Sequence, residues 1–352
     1  MLPKSQFAPR LLKWYAQNGR TLPWRNISDP YRIWISEIIL QQTQVKQGYD
    51  YYLRFIETFP TVFELAKADE DTVMRLWQGL GYYSRARNLH AAAKTIATAG
   101  VFPTTYEGVR ALKGVGDYTA AAICSFAYGL PHAAVDGNVY RVLSRVFGIS
   151  TPIDTTQGKR EFSALANELL DPENPGNYNQ ALMDFGALQC TPTSPDCASC
   201  PFLGECVAQE QEIIEVLPFK SKRTKVTDRY FTYFYLHTAT HLFLHRRPAG
   251  DIWQGLYEPF LIETKAPLSL DAALQFLPKH LQKGTVRLVA QDLKHLLTHR
   301  RLHADCYAIA LPDGTPPPDG YMAVPLNERD EYAVPALVMR LYQSLQAPKL
   351  AL

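Results

Sequence analysis

The chain contains no apolar run long enough to cross a bilayer, which argues against a helical membrane protein. Its opening, Met1-Leu-Pro-Lys4, lacks the charged-then-apolar pattern of a secretory signal, so a cytoplasmic location is expected. Charge of one sign is not in excess: 36 Lys and Arg face 34 Asp and Glu, a net +2. That balance neither demands nor excludes nucleic acid, because distribution matters more than the sum. Cysteine is sparse, six in 352 residues, yet four of the six fall between 190 and 206. In a reducing compartment such crowding points to a metal site rather than to disulfides. Apolar residues are plentiful at 47%, enough for a sizeable core, and 352 residues suggest two or more domains.

The stretch Trp34-Ile-Ser-Glu37-Ile-Ile-Leu40-Gln41-Gln42-Thr-Gln44 reads as one helix, with Asp29 as its cap and Pro30 in its first turn. Ile35, Ile38 and Ile39 form an apolar stripe. Glu37 lies off that stripe and shares a face with Ile33, Trp34, Gln41 and Gln44. Most helical Glu residues are simply solvated. A carboxyl among apolar neighbours is different: its pKa rises and it can act as an acid near neutral pH.

Helical patterns also cover residues 7–17, 49–59, 62–68 and 71–77, and Pro60 breaks the second of these. Gly79-Leu-Gly81-Tyr82-Tyr83 predicts a tight turn presenting two tyrosines, followed by a helix from Ser84. In Leu112-Lys-Gly114-Val-Gly116-Asp-Tyr118 a short helix from Tyr106 runs into a two-glycine hairpin and then a second helix. Glycines let the backbone approach a partner closely, and the free N–H groups of the next helix attract anions. The pair reads as a phosphate cradle, although a plain helix–helix turn would also use glycine. Val135-Asp136-Gly137-Asn138 puts an aspartate just ahead of another helix, as a simple N-cap or as a carboxylate fixed in direction by its cap.

Cys190, Cys197, Cys200 and Cys206 can converge on one metal centre. Zinc ribbons usually use two C-x2-C pairs far apart. The three unequal gaps here favour an iron–sulfur cluster on four thiolates. Cys124 and Cys306 read as core residues. Residues 209–228, with Pro218 and the basic run Lys220-Ser-Lys-Arg-Thr-Lys225, form a linker. Beyond it, 230–236, 241–245 and 307–311 look like strands, and 268–277 and 335–345 like helices.

Taken in order, these motifs resemble those of the adenine DNA glycosylase (MutY) family, within the helix-hairpin-helix superfamily that includes endonuclease III. The resemblance covers nearly the whole chain and is most specific in the first 210 residues. It implies a multidomain fold. An all-α helix-hairpin-helix glycosylase region with a [4Fe-4S] loop would occupy 1–208, with a six-helix part at 29–135 and a cluster part from 1–28 and 136–208. A basic linker at 209–228 would lead to an α+β Nudix-like lesion-recognition domain at 229–352.

The family excises adenine mispaired with 8-oxoguanine or guanine in duplex DNA, as a step of base excision repair. The base must be flipped out, because its glycosidic bond is unreachable in the stack. By resemblance, Glu37 protonates adenine N7 and then activates water. Asp136 either stabilises the positive sugar or attacks it to form a covalent intermediate. Tyr118 and Asn138 support the two acids. Trp24, Arg25 and Leu40 fall at adenine-pocket positions, Arg20 and Gln180 are further substrate-binding candidates, and Gln42 and Tyr82 fall at positions that enter the stack around the lesion. Gly114 and Gly116 would hold the DNA backbone through amides.

The residue two after the second hairpin glycine is lysine in the superfamily's lyases, since a Schiff base needs an amine. Here it is Tyr118, which implies a monofunctional enzyme. In the C-terminal part, Leu244-His-Arg-Arg247 and Trp253-Gln-Gly255-Leu256 carry the Nudix likeness, but the acidic metal-binding box is absent, so nucleotide hydrolysis is not expected. The family's Phe-Ser-His lesion-reading loop aligns with Leu297-Thr298-His299, which keeps a hydroxyl and loses an aromatic. The resemblance also implies a monomer with no membrane partner, working beside a bacterial chromosome and handing its product to downstream repair proteins.

Overall fold

A computed structural model gives the architecture and describes residues 2–221 and 225–346. Contacts divide the chain into two units: Met1–Lys67 with Asn88–Arg223, and Ala68–Arg87 with Thr224–Leu352. Of the basic run expected as a linker, residues 222–224 lie outside the described residues. No helix among the described residues is long and apolar enough to cross a membrane.

The first unit is helical. Its elements are α1 (Lys4–Asn18), α2 (Pro30–Leu40), α3 (Val45–Thr58) and α4 (Val62–Lys67). After α5 (Glu70–Leu76), which belongs to the second unit, come α6 (Ser84–Ala99), α7 (Tyr106–Arg110), α8 (Asp117–Tyr128) and α9 (Gly137–Phe147). They are followed by α10 (Thr156–Leu169), α11 (Pro175–Leu188) and α12 (Val207–Glu210). One core gathers Phe7, Leu11 and Trp14 of α1, Val139, Val142 and Leu143 of α9, Phe162 of α10, and Tyr178, Leu182 and Phe185 of α11. Cys190, Cys200 and Cys206 pack against it.

Two local details differ from the sequence reading. The stretch from Trp34 to Gln44 is not one helix: α2 stops at Leu40, and α3 starts at Val45 with Gln44 as its N-cap. The break is a turn in which Gln42 takes a left-handed φ of 56° and Thr43 N–H bonds the Leu40 carbonyl. Nor does α2 keep a solvated face, since Tyr31 and residues 33–39 are all buried. Its Asp29 cap is as expected, with the carboxylate accepting from the N–H groups of Tyr31 and Arg32 and Pro30 in the first turn.

The second unit is a seven-stranded sheet with β1 (Thr227–His237), β2 (His241–Arg246), β3 (Tyr257–Glu258), β4 (Phe260–Thr264), β5 (Thr285–Leu297), β6 (Arg300–Ala310) and β7 (Met322–Pro325). The order is β3-β2-β1-β6-β5, with β4 on β1 and β7 on β2. Strands β1 and β6 run parallel, from Thr227 opposite Arg300 to His237 opposite Ala310. Alternate residues of β1 serve opposite faces, as a pleated strand requires. Phe231, Tyr233 and Tyr235 pack with Leu337, Val338 and Leu341 of α14 (Ala336–Gln346). Phe234 and Leu236 pack with Ala273 of α13 (Leu270–Leu274) and with Leu277 and Leu281. Burial on both faces explains why this strand reads as a continuous aromatic run.

Residues 68–87, grouped with the helices when only the sequence is read, make their polar contacts in the second unit. Tyr257 Oη donates to Asp71 at 3.0 Å, and Arg87 to the Gln254 carbonyl at 2.6 Å. Gln78 accepts from Val334 N–H at 3.0 Å.

Candidate active site

Four helices, α2, α8, α9 and α11, and the loop after α1 build the site. Helix α2 supplies Glu37, which is 8% exposed and so nearly stripped of water. Trp34, one turn back, is fully buried and packs edge-on against Tyr31 and Phe102. Burial raises the Glu37 pKa to about 7, and the nearby Asp136 charge adds to the rise. A hydrogen bond from Tyr118 and the charge of Arg25 oppose it. Glu37 is therefore an acid whose proton is exchangeable near neutral pH.

Helix α8 supplies Tyr118, in the first turn after the hairpin. Its Oη lies 2.8 Å from Glu37 Oε2 and 3.1 Å from Met183 Sδ. Burial drives the phenol pKa well upward, and the two nearby carboxyls add to it, so Tyr118 donates and does not ionise. Gln41, just past α2, ties the same two elements by donating to Thr119 Oγ1 at 3.1 Å.

Asp136 is the N-cap of α9. One oxygen accepts from Val139 N–H at 2.9 Å, and the other from Asn138 Nδ2 at 2.8 Å. Both carboxylate oxygens are thus fixed in direction. Burial pushes the Asp136 pKa up, while these bonds, which favour the anion, pull it back. Asn138 is itself held by Arg141, whose Nη2 donates to Asn138 Oδ1 at 2.8 Å and whose Nε donates to the Cys190 carbonyl at 2.8 Å. Helix α11 approaches this corner at Gly186, where a Cβ would stand 2.5 Å from Asn138 Cβ.

Helix α11 turns Gln180, Met183 and Asp184 to one face by their spacing of three and four. Asp184 is fully buried and takes two guanidiniums. Its Oδ1 accepts from Arg20 Nε at 3.0 Å and from Arg25 Nη2 at 3.0 Å, and its Oδ2 from the Arg20 backbone N–H at 3.0 Å. Arg25 also donates to Tyr15 Oη at 3.4 Å, and Tyr15 donates to Gln180 Oε1 at 3.1 Å. Because Arg can only donate, the single phenolic proton must go to Gln180.

The structure thus brings together Glu37, Tyr118, Asp136, Asn138, Arg20, Arg25 and Gln180. Trp24 is buried one residue from Arg25, edge-on to Tyr52 of α3 at 5.0 Å. Leu40 is half-buried at the end of α2 and packs over Gly48, whose added Cβ would meet Leu40 Cδ2 at 2.8 Å. Gln42 is exposed at its left-handed turn. In the hairpin, Gly114 has φ +81° and a Cβ there would meet Asn88 Cβ at 2.7 Å, so only glycine fits. Gly116 caps α8. In the second unit, Thr298 and His299 form the two-residue turn between β5 and β6, since Leu297 pairs with Arg300. Tyr82, with a left-handed φ of 48°, is half exposed, and its Oη lies 2.6 Å from Thr298 Oγ1.

The four cysteines line one cavity with Arg145, Phe185 and Gln189. Among the described residues no three His, Cys, Asp or Glu side chains sit close enough to grip a single ion. N–H donors point at the sulfurs, Phe202 N–H to Cys200 Sγ at 3.4 Å and Arg145 Nη1 to Cys190 Sγ at 3.5 Å.

Sequence reading missed Tyr15, Arg141, Met183 and Asp184. Asp184 did leave a signal, an aspartate inside the apolar run Ala181-Leu-Met-Asp184-Phe.

Residues 35–170 match the family described as HhH-GPD superfamily base excision DNA repair protein, and residues 232–344 match the NUDIX domain. An adenine DNA glycosylase of Buchnera aphidicola subsp. Baizongia pistaciae is 34% identical over 306 residues, covering 84% of each chain. The Homo sapiens adenine DNA glycosylase is 42% identical over 216 residues, covering 58% of this chain and 40% of its own length. A solved thermostable thymine-DNA glycosylase superposes with a TM-score of 0.55 at 29% identity, covering 59% of this chain and 97% of that one.

Proposed function

The chain belongs to the adenine DNA glycosylase family, and from that premise we propose that it flips adenine out of pairs with 8-oxoguanine or guanine in duplex DNA and hydrolyses its glycosidic bond. The observation that carries the reading is the pair of unlike carboxyls: Glu37, raised to about 7 by burial, and Asp136, held by two hydrogen bonds that favour its anion. Adenine leaves as a neutral base only if its ring is protonated. Glu37 supplies that proton to N7, and Tyr118 Oη steadies the carboxylate left behind. The sugar becomes an oxocarbenium-like cation, and Asp136 supports it by charge or by a transient covalent bond. Water completes the reaction, with Glu37 as base. Tyr118 offers no amine, so the strand stays intact.

Arg20, Arg25 and Gln180 form a wall of donors for the ring-nitrogen acceptors of the flipped base. Trp24 and Leu40 close the pocket. Gly114 and Gly116 hold the backbone, and Gln42 enters the stack. Tyr82, Thr298 and His299 read the opposite base. The enzyme acts as a monomer on the chromosome and passes its abasic product to later repair enzymes.

The four thiols line one cavity, which supports the reading that they would hold a [4Fe-4S] cluster. Cys190, Cys197, Cys200 and Cys206 would hold it, and when bound it supplies four iron–thiolate bonds that fix the loop. The functional test is single-turnover release from duplexes carrying A:8-oxoguanine, A:G, C:8-oxoguanine and thymine glycol. Adenine released from the first two alone is expected. Base release from thymine glycol, or none from A:8-oxoguanine, would overturn the reading.

A further inference from the structure

Asp184 is completely buried, yet two guanidiniums converge on it. Arg25 is the more buried of the two, its side chain 9% exposed against 27% for Arg20. The charged and titratable groups that face Glu37 are Tyr118 from α8, Asp136 from the cap of α9 and Arg25 from the loop after α1. Arg25 donates to Tyr15 of α1 and to Asp184 of α11, which Arg20 shares. Among the described residues Arg25 is therefore the cation whose charge acts on the acid, and its head group is hydrogen-bonded to a different carboxylate.

We propose that Asp184 is a positioning residue: by bonding Arg25 Nη2 it keeps that guanidinium from closing an ion pair on Glu37. An arginine paired with a carboxyl favours the anion and lowers its pKa by about 1 to 3. A Glu37 paired in that way would hold no proton to give at neutral pH. Asp184 has no part in bond breaking, so its effect passes through Arg25 alone. This inference rests on the reading of Glu37 as the acid.

The test is the pH dependence of single-turnover adenine release from an A:8-oxoguanine duplex, for the wild type and Asp184→Asn. Freed from the carboxylate, Arg25 pairs with Glu37, and the midpoint of the alkaline limb falls by about one pH unit or more. That is about a tenfold loss at pH 8, recovered as the pH is lowered. Adding Arg25→Gln to Asp184→Asn removes the cation and returns the midpoint to the wild-type value or above. Asp184→Asn leaves buried arginine charge unpaired, so Asp184→Asn with Arg20→Gln is the second variant. It relieves one guanidinium, still frees Arg25, and carries the same downward shift.

A loss by one constant factor at every pH, or a midpoint that rises, would reduce Asp184 to a structural residue. Carbon-13 titration of the Glu37 carboxyl in DNA-free protein reads the same midpoint without turnover. A wild type that releases no adenine defeats the functional reading. A wild type that does, with an unshifted Asp184→Asn titration, defeats only this inference.

Discussion

Replacing Glu37 by Gln separates its chemistry from its cost to the fold. The carboxyl is 8% exposed, and its pKa is raised from the ordinary 4.5 to about 7. Each pH unit of that rise is worth about 1.4 kcal/mol, so the ionised form costs the native state about 3 kcal/mol. The sign follows from proton binding. The native protein holds this proton more tightly than the unfolded chain, so the contribution is complete below about 4.5 and is lost as pH rises through about 7. Glutamine never ionises and can still accept from Tyr118. Glu37→Gln should therefore come within about 1 kcal/mol of the wild type in urea unfolding at pH 5 and exceed it at pH 8 by up to about 3 kcal/mol. Adenine release should fall by at least about a hundredfold to ten-thousandfold, the worth of a general acid. Binding of the mismatch should persist. A variant equally destabilised at both pH values would refute the burial argument, and near-wild-type release would remove Glu37 from the mechanism.

Protein purified without air should be yellow-brown, with about four irons and four sulfides per chain; stoichiometric zinc without iron would exclude the cluster. Tyr82→Phe and Thr298→Ala each remove a hydroxyl from the 2.6 Å contact between these side chains. Each should reduce the A:8-oxoguanine over A:G preference by about 1 kcal/mol, or about fivefold, measured at matched salt. An unchanged ratio would move lesion reading elsewhere. Gly114→Ala puts a Cβ 2.7 Å from Asn88 Cβ at φ +81°. It should destabilise the hairpin by about 1–3 kcal/mol and weaken duplex binding without changing the pH midpoint; full affinity would argue against the cradle.

Much of the site was legible because its chemistry sits at element boundaries. Asp29, Asp136 and the hairpin glycines announce caps and turns, and the structure puts caps and turns there. Glu37 stood out as a carboxyl beside an aromatic and a row of amides, although the end of α2 at Leu40 did not, because Gln41 and Gln42 carry no turn chemistry of their own. The arginine–carboxylate ties were invisible: Arg20 and Asp184 lie 164 positions apart. Strand β5 was missed as well, since its mixed polar and apolar residues lack the continuous aromatic run that reveals β1. Residues 68–87 look like more of the helical region, and it is their bonds to residues of the sheet region such as Gln254, Tyr257, Thr298 and Val334 that place them with the sheet. A truncation near residue 223 would strip those partners, so lesion reading is better tested by point changes.

The most direct test of the central claim is mass analysis of both products after one turnover on an A:8-oxoguanine duplex, without heat or alkali and with borohydride in a parallel sample. Free adenine, an intact strand bearing one abasic site and no borohydride-trapped complex are predicted, because Glu37 and Asp136 are carboxyls and Tyr118 is not an amine. A cleaved strand, a trapped covalent complex or release of 8-oxoguanine would contradict the account.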